Sequence, residues 1–242
     1  MELPPDLVAS ERGRVAKVID GSTFALADGR TVRLAALDVP RPVGPGERAG
    51  RLQAVAISAQ EALSGLLGGD DVALAPVGRG IDRYGRIVAH VAGAQGRWIQ
   101  AEMTARGFGR VTVFADEGAG LRPLLALESE ARAARRGLWA LPEYRIIGTD
   151  EAARHLDSFQ LVEGRVRNVE RKAGRTFLNF GEDWRSDFTV AMPAKLRRAL
   201  AVDGLDPAEY QGKIVRVRGW IRSHNGPLIE LVQPEQIEVI AR

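Results

Sequence analysis

The sequence predicts an α+β first domain, a five-stranded barrel with three helices, followed by a second, mostly β barrel. Three observations predict it. Asp-Gly turns at Asp20-Gly21 and Asp28-Gly29 separate β-prone stretches, three helical stretches follow in the first half, and past Trp139 the pattern changes into a second strand meander. At 242 residues, 45% hydrophobic and 27% charged, the chain holds enough apolar material for one large or two small cores.

The first meander runs Arg14 to Ile19, Thr23 to Ala27 and Thr31 to Leu37. The stretch from Pro40 to Gly50 carries three prolines and three glycines, which no helix or strand interior accommodates, so it is a loop. From Gln53 to Leu67 apolar residues at Val55, Ala56, Ala59, Leu63, Leu66 and Leu67 mark an amphipathic helix that stops at Gly68-Gly69. Strands Val72 to Pro76 and Arg86 to Val91 follow, separated by the polar segment Gly78 to Gly85. Then come a helix from Trp98 to Arg106 ended by Gly107, a strand-like Arg110 to Phe114, and a long helix from Leu121 to Arg136. Residues 142–158 read as a linker around a short helix, which separates domains at 1–141 and 159–242. The second meander places strands at Phe159 to Glu170, Thr176 to Gly181, Phe188 to Met192, Lys213 to Ile221 and Leu228 to Leu231, with a helical insertion at Ala194 to Leu200. Five strands interrupted by one helix outline an OB-like barrel.

Composition excludes several classes of function. There is no cysteine, so neither a disulfide framework nor a thiolate metal site exists, and the three histidines, His90, His155 and His224, are too scattered for a zinc centre. No apolar run reaches the roughly 18 residues of a membrane span. The acidic, proline-bearing stretch from Met1 to Arg14 lacks the apolar core of a signal peptide. That predicts a cytoplasmic protein, or a periplasmic or secreted one if the sequence is a trimmed form. The 34 basic and 31 acidic residues balance too evenly to argue for nucleic-acid binding by themselves, so any basic patch must come from placement.

Three short segments carry the chemistry when taken together: Asp20-Gly21-Ser22-Thr23, then Arg33 with Asp38-Val39-Pro40, then Asp82-Arg83-Tyr84-Gly85-Arg86. Taken singly, each has a bland explanation as a turn, an exposed strand residue or a loop entering a strand. Their order and spacing resemble the staphylococcal nuclease (thermonuclease) family. In that family one strand carries Asp-Gly-Asp-Thr, the next an arginine followed by Asp-x-Pro-Glu, and a later loop Asp-x-Tyr-Gly-Arg. The helix ending in Gly137-Leu138-Trp139 extends the resemblance over roughly residues 13–141.

The resemblance implies the SNase-like fold for the first domain and a phosphodiesterase site in which calcium holds a phosphate oxygen, two arginines neutralise the phosphate and a glutamate activates water. A hard cation wants oxygen ligands, and guanidinium matches phosphate geometry. Carried over by motif, Arg33 and Arg86 are the phosphate-binding, catalytic arginines and Asp38 is a metal-ligand carboxylate. Two positions depart from the pattern: Ser22 stands where the family has a second aspartate, and Arg41 where it has the general-base glutamate. The expectation is therefore a weak or absent calcium site and weak or absent hydrolysis, with Arg41 joining Arg33 and Arg86 as a third phosphate-binding arginine unless it points into water. Two rescues stay open. Glu47, in the same loop, can serve as a relocated base. Asp20 can serve as a metal ligand, unless as a turn residue it bonds its own backbone.

In the second domain, residues 161–198 hold nine basic against five acidic residues, interleaved with aromatics. Arg165, Arg167, Phe177, Trp184, Arg218 and Trp220, together with Tyr84 of the first domain, are the candidate contacts to single-stranded nucleic acid, the bases stacking while the backbone meets positive charge. The competing reading makes Phe177 and Trp220 core and the arginines a solvated face. The functional expectation is a monomer that binds single-stranded DNA or RNA and has a degenerate phosphodiesterase site. The alternatives are an active metal-dependent endonuclease using Glu47, and a scaffold of two OB-like barrels for a protein partner.

Overall fold

The computed structural model describes residues 1–42, 50–115, 117–183, 185–202 and 206–241. The chain divides into two units, Met1–Tyr144 and Arg145–Arg242.

In the first unit the two Asp-Gly turns fold strands β1 (Glu11–Asp20), β2 (Thr23–Leu26) and β3 (Thr31–Leu34) into an antiparallel meander. The register of β1 on β2 shifts twice, between Val15 and Lys17 and between Val18 and Asp20, which adds the local twist that a small barrel needs. After the two-residue β4 (Leu37–Asp38), helix α1 (Arg51–Leu67) buries Ala56, Ala59, Leu63, Leu66 and Leu67, and it ends at Gly68 in the left-handed region. Strand β5 (Asp71–Ile81) runs past the predicted end at Pro76 and into the polar segment, because Ile81 pairs with Ile87 across a register shift. Strand β6 (Ile87–Ala92) pairs antiparallel with β5 and parallel with β3, and β1 pairs with β5, so β1-β2-β3-β6-β5 close into the expected five-stranded barrel. Helix α2 (Ile99–Ala105), the short β7 (Arg110–Val111) and helix α3 (Leu121–Ala133) complete the unit, with β7 pairing β4. Trp98, Phe24, Leu34, Leu63 and Met103 are among the fully buried side chains of its core.

His90 lies in this core on β6, fully buried, with Trp98 Nε1 donating to its Nδ1 at 3.2 Å. Burial pushes its pKa down to about 4 from 6.5. The folded chain therefore stays neutral at a position where the unfolded chain takes up a proton, and stability is lost as pH falls from about 6.5 towards 4. Urea unfolding at pH 7 and pH 4 should show about 3 kcal/mol of acid destabilisation from this residue alone. The His90→Gln protein should lack that part of the slope.

The second unit is mostly β. Strands β8 (Ile147–Gly148), β9 (Phe159–Arg165), β10 (Asn168–Lys172), β11 (Arg175–Asn179) and β12 (Thr189–Met192) precede helix α4 (Ala194–Val202). Strands β13 (Ile214–Trp220), β14 (Arg222–Ser223), β15 (Pro227–Glu230) and β16 (Ile237–Ala241) follow it. They form two sheets, β10-β11-β12-β15-β14 and β16-β13-β9-β8. The predicted single strand Phe159 to Glu170 is two strands, because the chain leaves one sheet for the other around Val166. The Val166 N–H donates to the Lys213 carbonyl, and the Arg167 N–H to the Asn179 carbonyl. Strands that switch sheets at a bend make the corners where two packed sheets meet. Within residues 142–158 the structure holds 3-10 turns at Pro142–Tyr144 and Thr149–His155, and β8 between them pairs parallel with β9. Leu178, Val190, Val215, Val217 and Ile229 build the core between the sheets.

Candidate functional site

Period-two alternation on β3 sends Val32 and Leu34 into the barrel and leaves Arg33 on its outer side. The parallel register pairs Arg33 with Val88. On β6, Ile87, Ala89 and Val91 are core, so Val88 shares Arg33's outer face, and so does Arg86, two residues before it. The Asp82-Arg83-Tyr84-Gly85-Arg86 turn delivers that second arginine. The Asp82 Oδ1 accepts from the N–H of Tyr84 at 2.9 Å and of Arg86 at 3.1 Å, and Gly85 supplies the positive φ of 75°.

The two guanidinium groups meet at one atom. Asp82 Oδ2 lies 2.7 Å from Arg86 Nη2 and 3.9 Å from Arg33 Nε. Burial works against the Asp82 charge, but the Arg86 side chain and the two backbone N–H groups outweigh it and hold the carboxyl below its ordinary range. On its other side Arg33 Nη2 stands 3.5 Å from Glu117 Oε1, while Glu117 Oε2 accepts from the Ala36 N–H at 3.3 Å. Tyr84 is 66% exposed, with the Arg83 and Arg86 guanidiniums 4.8 and 5.2 Å from its ring centre. The structure thus brings Arg33, Arg86 and Tyr84 to one patch.

The acidic positions are occupied otherwise. Gly21 lets the first turn press against α1 and the chain beyond β4, since a Cβ there would lie 2.7 Å from both Ala59 Cβ and Val39 Cγ1. In that turn Asp20 Oδ1 accepts from the Ser22 N–H at 2.8 Å and the Ser22 hydroxyl at 3.0 Å. Arg41, largely exposed, has its Nε 3.9 Å from Asp20 Oδ2. Asp38 is held by Arg110, whose Nη2 lies 2.7 Å from its Oδ2 and whose guanidinium sits 5.1 Å from the Tyr144 ring centre. Burial, with the nearby Asp38 charge, pushes the Tyr144 phenol up to about 12. Glu47 lies outside the described residues.

A calcium ion takes six to eight oxygen ligands. Here both Asp20 oxygens and Asp38 Oδ2 already face a guanidinium or a turn donor, Ser22 offers a neutral oxygen, and among the described residues no group of three acidic or histidine side chains could hold a metal. The described donor set does not fit a preformed calcium cage. Three residues escaped sequence reasoning: Arg110, Glu117 and, as the shared anion, Asp82. Asp82 stood inside a motif. Arg110 and Glu117 carry no local signal, because their partners Asp38 and Ala36 lie 72 and 81 residues away.

In the second unit Arg165 donates to the Gly212 carbonyl and Arg167 to Glu182 at 2.7 Å. Arg218 is buried at 4% exposure on β13, whereas Trp220 at the end of that strand is 45% exposed and lies 6.5 Å edge-on from Phe159. Phe177 lies on the β11 face turned away from the core, since its neighbours Thr176 and Leu178 are fully buried. Trp184 lies outside the described residues. The structure does not gather the five described candidates into one place: Arg165, Arg218 and Trp220 belong to the β16-β13-β9-β8 sheet and Phe177 to the other.

A closed five-stranded barrel with three helices, carrying two arginines around an Asp-x-Tyr-Gly-Arg turn, defines a nuclease-type fold. The family model described as staphylococcal nuclease homologue matches residues 31–141, within the first unit. The chain is 30% identical over 140 residues to an uncharacterized endonuclease of Escherichia coli, covering 56% of this chain and 82% of that protein. It is 29% identical over 140 residues to the uncharacterized endonuclease of Escherichia coli O157:H7, with the same coverage, and 32% identical over 148 residues to Protein ParB of Escherichia coli, covering 55% and 75%. The chain belongs to the staphylococcal nuclease homologue family. No helix among the described residues is long and apolar enough to cross a membrane.

Proposed function

We propose that the first unit binds the phosphate backbone of nucleic acid through Arg33 and Arg86 and hydrolyses phosphodiesters weakly or not at all. One observation carries the reading: guanidinium groups from β3 and from the turn that enters β6 flank a single carboxylate oxygen, Asp82 Oδ2, a geometry that also suits a phosphate oxygen. Weak hydrolysis follows from Ser22 and Arg41 standing where the family carries carboxylates, and from Asp20 and Asp38 being engaged by Ser22 and Arg110. Arg41 adds positive charge beside Asp20 and disfavours a cation there.

The test is binding of fluorescent single-stranded oligonucleotides across a salt series. A log–log slope of about −0.7 per phosphate contacted is expected. Affinity indifferent to salt, or no affinity, would overturn the reading and leave a scaffold that binds protein. The names of the Escherichia coli relatives favour a second reading, an active endonuclease, for which Glu47 is the candidate base. Calcium-dependent degradation of denatured DNA that disappears in Glu47→Ala would establish it.

A further inference from the structure

We infer that the second unit carries a cleft for one unstacked nucleobase on the outer face of the β10-β11-β12-β15-β14 sheet, with Phe177 as its stacking platform. A cavity of about 360 Å³ opens there. That is the small end of the range for ligand pockets, the size for one planar heterocycle with its sugar and too small for a folded peptide or lipid chain.

The register builds it. On β11 the core takes Leu178, which leaves Phe177 and Asn179 facing outward. Across the ladder Phe177 lies between Glu170 and Ala191, and Asn179 lies between Asn168 and Thr189, with Leu228 beyond Thr189. Ala191 is itself fully buried, so the hollow opens on the Glu170 and Asn179 side of the phenyl ring. Two turns wall the hollow. Ala173 and Gly174, with φ 49° and 76°, make the two-residue hairpin between β10 and β11, and Asn225 and Gly226, with φ 50° and 91°, lie between β14 and β15. Such turns are stiff, so the hollow is present before any ligand arrives.

The chemistry of the lining selects the ligand class. A phosphate is ill suited, because the Glu170 carboxylate is set among the lining groups beside Lys172 and His224. A sugar stacks through a C–H face and carries a ring of hydroxyls, for which this mostly apolar lining has few polar partners. A base has a π-face and an edge that both donates and accepts. Asn179, 8% exposed, has its Oδ1 taken by the Thr189 hydroxyl at 3.4 Å, so its amide nitrogen is left to donate to a base carbonyl or ring nitrogen. Lys172 lines this face and suits a phosphate beside the base.

This inference does not depend on the Arg33 and Arg86 reading, and the experiment keeps them apart. The full chain carrying Arg33→Ala and Arg86→Ala is titrated with the four nucleoside 5′-monophosphates, with ribose 5-phosphate and with single-stranded oligonucleotides, following the phenylalanine ring signals by NMR. Mononucleotides should perturb the Phe177 ring and ribose 5-phosphate should not. Phe177→Leu, which keeps apolar volume but removes the π-face, should weaken oligonucleotide binding roughly tenfold, and Phe177→Trp should restore it. Affinity that rises with oligonucleotide length points to a strand as the source of the base, and affinity that stays flat points to free nucleotide. Ribose 5-phosphate binding as well as the nucleotides, or a folded Phe177→Leu chain with unchanged affinity, would overturn the assignment.

Discussion

Removing both arginines at the first-unit site, Arg33→Ala with Arg86→Ala, is expected to cost about 4 kcal/mol of affinity for single-stranded nucleic acid at low salt, roughly a thousandfold in Kd. Each guanidinium offers charge-assisted hydrogen bonds, and Arg33 on β3 and Arg86 in the turn entering β6 lie 3.9 and 2.7 Å from Asp82 Oδ2, so on this reading both losses fall on the same phosphate. The lysine pair, Arg33→Lys with Arg86→Lys, should fall between wild type and alanine, because a point charge survives but the planar fork does not. Anisotropy titrations at several salt concentrations check this: the alanine pair should flatten the salt slope as well as weaken binding. Equal affinities for wild type and the alanine pair would place the phosphate contacts elsewhere.

The second large effect runs in the opposite direction. Ser22→Asp together with Arg41→Glu should confer calcium-dependent cleavage about a thousandfold above wild type, the scale that a positioned general base contributes. Aspartate at 22 would sit against Asp20, which now accepts both Ser22 donors, and two carboxylates in one tight turn repel until a divalent cation joins them. The same change takes the positive charge of Arg41 away from Asp20. Calcium should therefore raise the Tm of the double variant and leave that of wild type unchanged, a readout independent of turnover. A folded double variant that ignores calcium in both assays would count against the assignment of this site.

Much of the first unit was legible because its punctuation is local. Asp-Gly turns, Gly68 after α1 and alternation on β3 each announce themselves within a few residues, and the barrel follows from their order. Arg33 and Arg86 were legible for the same reason, since each sits within a short motif. What stayed hidden depends on distant neighbours. The motif shows the Asp38 carboxylate, but its ion pair with Arg110 appears only once β4 pairs with β7. Likewise the break between β9 and β10 and the existence of β16 come from pairing with β13 and β11. Period two says that Phe177 and Leu178 face opposite ways but not which of them faces the core, and only Val190 and Ile229 packing beside Leu178 decide it.

Asp82 has one more consequence. A hollow ringed by cations and lacking any anion would draw in chloride or push its own walls apart. With a carboxylate already lodged between the guanidiniums, any visitor must displace an incumbent of full negative charge. Dilute monovalent salts are poor competitors for that seat. On the proposed reading a polyanion would win it by bringing many neighbouring charges at once, so occupancy would follow the length of the visiting polymer more steeply than its local concentration of groups.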